Sequence, residues 1–113
     1  MADLLQLARE SYGAYASGDR ERIEELMAPD LVFHSPPDPG IDRATYFERC
    51  WPNAATISAF DFVRLVEIGD DEVLVTYEST KTDGRRFRNT EILGFDGAAR
   101  IRRVEVYFGW DVE

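Results

Sequence analysis

An α+β domain, with three helices covering one face of a curved, mostly antiparallel sheet, is the fold class this sequence predicts. Three observations carry it. Apolar residues recur at helical spacing through the first half of the chain, strand-like runs in meander order fill the second half, and the last two runs flank Asp96-Gly97-Ala98-Ala99, a hairpin signal. With 113 residues, 44% of them hydrophobic, the chain has the size of one domain able to bury one core.

From Asp3 to Ala16, the residues Leu4, Leu5, Ala8, Tyr12 and Tyr15 recur at three- and four-residue steps, the period of an amphipathic helix that Asp3 can cap. Gly18 supplies its stop. Asp19 caps a short second helix carrying Ile23, Leu26 and Met27, which Pro29 ends. Leu31 to Ser35 reads as a short strand closed by the loop Pro36-Pro37-Asp38-Pro39-Gly40, and a third helix is expected from Asp42 to Trp51, stopped by Pro52. After a loop over Asn53–Ser58 come strands Phe60–Ile68 and Val73–Lys81, joined by Gly69-Asp70-Asp71-Glu72, and then the hairpin strands Arg86–Phe95 and Arg100–Trp110.

The hairpin decides which face carries chemistry. A four-residue loop pairs Phe95 with Arg100 and sets Glu91 opposite Val104, whereas a five-residue loop sets Glu91 opposite Glu105, a destabilising like-charge pair. The first register is therefore expected. It places Phe87, Asn89 and Glu91 on the inner face with Val75, Tyr77 and Ser79, and turns Arg88, Thr90, Ile92, Arg103, Glu105 and Tyr107 outward. A carboxylate on an apolar wall loses hydration, so its pKa rises towards neutrality, the condition for a general acid or base. Outside, Glu78 and Glu105 can pair with Arg86, Arg88 and Arg103 across strands.

A formal charge of −9 argues against nucleic-acid and anionic-membrane partners and favours a neutral or apolar small molecule. No apolar run reaches membrane-spanning length, and the amino terminus lacks a signal-peptide pattern, so a cytoplasmic location is expected. One cysteine, Cys50, and one histidine, His34, form neither a disulfide nor a recognisable zinc site; no cofactor or metal is expected.

The order of a helix, Ser17-Gly18-Asp19, a short helix, Pro29-Asp30-Leu31-Val32-Phe33, a proline-rich loop, a helix and a meander resembles the nuclear transport factor 2-like superfamily. Within it the chain is similar to the SnoaL-like and ketosteroid-isomerase-like branch, and the likeness spans nearly all of residues 1–113. It implies one SnoaL-like domain, a cone-shaped roll (cystatin-like) with a pocket at its open end, and a homodimer through the outer sheet face, where Ile92, Ile101 and Tyr107 are expected to be exposed in a monomer. In the isomerases a hairpin acid works with a tyrosine of the first helix and a carboxylate base. Glu91 matches the acid, Ser11 stands at the tyrosine beside Tyr12, and Ser35 stands at the base, preceded by His34. Epoxide hydrolases of limonene type need an aspartate, arginine, aspartate set, where the hairpin here has Asn89 and Glu91. SnoaL-like cyclases need only an acid/base group beside an aromatic pocket, a pattern this chain meets.

The expected site thus has Glu91 and His34 as catalytic groups. Its substrate pocket is read as Tyr12, Tyr15, Phe33, Ser35, Phe47, Trp51, Tyr77, Asn89, Phe108 and Trp110. Each has a structural alternative: Glu91 as a carboxylate bonded to Tyr12, Tyr15 or Asn89, His34 as a solvated or dimer-contacting residue on the opposite face from Ser35, and the aromatics as core. Two functions stand: a cofactor-free cyclase, isomerase or hydrolase of a mostly apolar metabolite, or a non-catalytic ligand-binding or dimeric module.

Overall fold

The computed structural model describes residues 2–112. Three helices, α1 (Leu4–Ser17), α2 (Arg20–Leu26) and α3 (Arg43–Arg49), begin the same way. An aspartate before each, Asp3, Asp19 or Asp42, accepts a hydrogen bond from the backbone N–H three residues on, Gln6, Arg22 or Thr45, at 3.2, 3.1 and 2.9 Å. Gly18 takes the left-handed conformation (φ 72°), and Asp19 N–H donates to the Ala14 carbonyl at 2.8 Å, so α1 turns into α2 within two residues.

Six strands, β1 (Met27–His34), β2 (Ile41–Asp42), β3 (Ile57–Ile68), β4 (Glu72–Lys81), β5 (Arg86–Phe95) and β6 (Ile101–Val112), form one sheet in the order β2-β1-β6-β5-β4-β3. Every neighbouring pair is antiparallel except β1 with β6. The helices pack on its inner face, and the core lies between them: Ala8, Ile23, Leu31, Val73, Val75, Leu93 and Val104 are all buried.

Element boundaries differ most from the expectation in three places. β1 starts at Met27, so Pro29 sits inside a strand; the register against β6 slips between Met27 and Val32, and this irregularity accommodates a residue without an N–H. The segment after α3 winds as a 3₁₀ turn over Trp51–Thr56 with Pro52 in its first positions, and β3 begins at Ile57 rather than Phe60. The two-residue strand β2 was too short to carry any periodicity.

The β5–β6 register also differs, by two residues: Glu91 pairs with Val106, not Val104. Five residues close the hairpin, with Phe95 opposite Ile101; the Asp96 carboxylate accepts the Ala98 and Arg100 N–H groups, and Ala99 turns at φ 59°. A bulge at Arg102 then adds a second step. Each shift alone would reverse the faces, and together they restore them, so Glu91 stays inward and never meets Glu105. The bulge does invert the hairpin end: Ile101, expected on the exposed outer face, is 2% exposed, and Arg102 points out to Asp30 at 3.2 Å.

Candidate functional site

Between the inner sheet face and the helices lies an open cavity of about 630 Å³ with Glu91 in its wall. The side chain comes from the middle of β5, flanked across the strands by Val75 and Val106, and the part of its surface left uncovered faces the cavity. Tyr12 of α1 donates its hydroxyl to Glu91 Oε1 at 3.0 Å and Tyr77 of β4 to Oε2 at 2.6 Å. Asn89 Nδ2 donates to the Tyr77 hydroxyl oxygen at 3.3 Å, and Gly109 N–H donates to Asn89 Oδ1 at 3.3 Å. A continuous chain of donors thus runs from the β6 backbone to the carboxyl group.

Ring packing holds the two phenols in place. Phe60 stands edge-on to Tyr12 and Tyr77, with centroids 5.2 and 5.0 Å apart, and Tyr12 lies 5.4 Å from Tyr77. Lost hydration raises the Glu91 pKa above the ordinary carboxylate value and outweighs the opposing pull of the two phenolic hydrogen bonds. Burial, and then the Glu91 charge, raises the pKa values of Tyr12, Tyr15 and Tyr77, which keeps these phenols as neutral donors. Burial together with the nearby Asp38 charge raises that of the Cys50 thiol, which makes it a poor nucleophile.

Of the residues read as pocket, Tyr12, Tyr15, Phe33, Ser35, Tyr77, Asn89, Phe108 and Trp110 border the cavity. Tyr15 donates to the Cys50 carbonyl at 3.2 Å rather than to Glu91. Phe47 and Trp51 do not border it: Phe47 is buried with the guanidinium groups of Arg20 and Arg43 over its ring, and Trp51 packs edge-on against Tyr15. Its neighbour Tyr46 takes that role, because adjacent positions on a helix face different ways. Trp110 sits at the rim. A bulge opposite Arg88 takes up Gly109 and Trp110 together, and the Arg88 guanidinium lies 5.2 Å from the indole.

His34 is not among the lining residues. It pairs with Glu105 in the parallel ladder, on the outer face, and lies against Gly40. Ser11, at the position of the isomerase tyrosine, is buried and donates to the Ala8 carbonyl at 2.7 Å, while Tyr12 beside it reaches Glu91. Sequence reasoning missed Phe60, Lys81 and the Asp38–Arg49 ion pair (2.8 Å), which also border the cavity. The inward parity of the run Val73, Val75, Tyr77, Ser79 carries on to Lys81, a signal open to reading. Among the described residues no group of three or more His, Cys, Asp or Glu is placed to hold a metal ion, and no helix is long and apolar enough to cross a membrane.

A family model described as a SnoaL-like domain matches residues 8–105. Solved structures share the fold at low identity. A steroid delta-isomerase from Pseudomonas aeruginosa is 22% identical, with TM-score 0.73 over 95% of this chain and 80% of that one. A computationally designed 17-OHP binder is 17% identical (TM-score 0.78; 93% and 89% covered). An epoxide hydrolase from Mycobacterium tuberculosis, described as LEH-like, is 15% identical (TM-score 0.77; 94% and 82% covered). No curated protein matches the chain.

Proposed function

Because the chain belongs to the SnoaL-like domain family, we propose that it binds a small, mostly apolar metabolite in the cavity and exchanges a proton with it through Glu91. The observation that carries this reading is the carboxyl group of raised pKa, open to a cavity of about 630 Å³ and held by two neutral phenols. As carboxylate, Glu91 takes a proton from an acidic carbon of the ligand; as carboxylic acid it returns that proton to another carbon or to a leaving oxygen. This serves a cofactor-free isomerase, cyclase or hydrolase. A steroid isomerase and an epoxide hydrolase of the same fold support an apolar substrate. His34, on the outer face, takes no part.

A second reading, a ligand-binding module without turnover, is favoured by one observation: each Glu91 oxygen already accepts a phenolic hydrogen bond, and among the described residues no other carboxylate shares these bonds. Incubating the protein in D₂O with a panel of cyclic ketones and enones separates the two. Deuterium entering the acidic carbon positions of a bound ligand, abolished in Glu91→Gln, is the expected result. Ligands that bind the wild type and gain no deuterium would leave the non-catalytic reading standing.

On either reading we infer a single domain acting in the cytoplasm, with no nucleic-acid or membrane partner, and a homodimer through the outer sheet face. Exposed Val66, paired with Leu74, and Tyr107, paired with Thr90, on that side of the sheet support the dimer.

A further inference from the structure

Five cations border the cavity: Arg49, Lys81, Arg85, Arg86 and Arg88. Four of them have carboxylate partners. Arg49 pairs with Asp38, Arg85 with Asp83, Arg86 with Glu78 and Asp61, and Arg88 with Glu78. Lys81 is the exception among the described residues, although acidic residues outnumber basic ones 22 to 13 in this chain. It is also the chain's one lysine. It stands at the end of β4 on the inward parity of Val75, Tyr77 and Ser79, half-buried, with its ammonium 5.6 Å from the centre of the Phe87 ring. The Asp83 carboxyl, held below its ordinary value first by the Arg85 backbone N–H and in smaller part by the Lys81 charge, forms its ion pair with Arg85 at 2.9 Å.

Position sets the length of what can bind. Glu91 pairs with Val75, and Lys81 lies six residues further along β4, about 20 Å of strand. Between the two, Tyr77, Phe87 and Phe60 give a mostly apolar wall. The cavity therefore offers a proton-exchanging acid in its wall, an apolar middle and, at its mouth, a cation with no ion-pair partner among the described residues. A wholly neutral ligand would leave that ammonium without an ion-pair partner among the described residues.

We propose that Lys81 is a binding residue for the carboxylate of an elongated, amphipathic ligand whose apolar body fills the cavity and whose far end reaches Glu91. This rests on the ligand-binding reading above and narrows its substrate class from apolar metabolites to apolar carboxylic acids. Lysine suits the task, since its flexible stem can follow a carboxylate while its methylenes cover Phe87.

Lithocholate, an apolar ring system with a hydroxyl at one end and a carboxylate at the other, and its neutral methyl ester are the probes, with calorimetry as the readout. The wild type is expected to bind the acid at least tenfold more tightly than the ester. Lys81→Met, which keeps the stem and loses the charge, should abolish that preference with ester affinity unchanged, and Lys81→Arg should restore most of it. With one lysine in the chain, acylation of Lys81 is read directly against the terminal amine, and the acid should protect it where the ester does not. Equal affinities for acid and ester in the wild type, or a preference that survives Lys81→Met, would overturn the role of Lys81 while the cavity reading stands. If neither probe binds, both fail.

Discussion

Replacing Tyr77 by phenylalanine tests the electrostatics of Glu91 with little change in shape. The ring keeps its contacts with Tyr12 and Phe60, while the 2.6 Å hydrogen bond to Oε2 disappears and Asn89 Nδ2 loses its acceptor. A hydrogen bond to a charged group favours the charged form by about 1.5–3 kcal/mol. Removing it should lower the acid dissociation constant of Glu91 roughly ten- to a hundredfold, raising a pKa that burial has already raised. Tyr12→Phe, which removes the longer 3.0 Å bond, should act in the same direction and less.

The measurement is a carboxyl-carbon NMR titration, with Glu91→Gln identifying the resonance. Stability gives an independent check through its pH dependence. The folded state holds the Glu91 proton where the unfolded chain has released it, so the group's contribution is fully present below its unfolded pKa of about 4.3. It is lost as pH rises through the elevated folded value. In Tyr77→Phe that loss should extend to higher pH and deepen by about 1.5–3 kcal/mol in urea unfolding. An unchanged or lowered Glu91 pKa in Tyr77→Phe would refute the reasoning, because the Tyr77 hydroxyl would then not be stabilising the carboxylate.

Two glycines should respond in opposite senses. A Cβ on Gly109 would lie 2.3 Å from the Arg88 carbonyl oxygen, so Gly109→Ala must displace the bulge and should cost about 1–3 kcal/mol in thermal unfolding, with Asn89 losing its backbone donor. Gly13, exposed in α1 with no atom within 4 Å of an added Cβ, should gain about 0.5–1 kcal/mol as alanine. On the outer face, Tyr107→Glu is expected to convert a dimer at micromolar concentration into a monomer by sedimentation velocity; a wild type that sediments as a monomer would remove the dimer.

Much of the fold was legible because its signals are local. Aspartate caps, Gly18 and the alternation of β4 and β5 all act within a few residues, and each appears in the structure where the pattern puts it. The start of β1 was not. Met27 and Ala28 continue the apolar pattern of α2 equally well, and what makes them a strand is parallel pairing with Ile101, a partner far along the chain. Pro29 misled for the same reason, since a proline that ends a helix in isolation also fits an irregular strand.

The inward facing of Glu91 was reached through a register two residues off, and it survives because alternation depends only on parity. The hairpin loop and the bulge at Arg102 each add one residue, and their sum is even. Trp110 shows what an uncompensated bulge does: plain alternation groups it with Phe108, yet the extra residue at Gly109 carries it to Arg88. Glycine inside a strand is the signal for such a bulge, and here the steric reason is the Arg88 carbonyl. That close approach also turns the Gly109 N–H to Asn89, the first link of the donor chain that ends on Glu91. The same bulge thus sets Trp110 on the rim and orders the carboxyl group, so a contact made on Trp110 from outside is one peptide bond away from the hydrogen-bond chain that ends on the acid in the cavity wall.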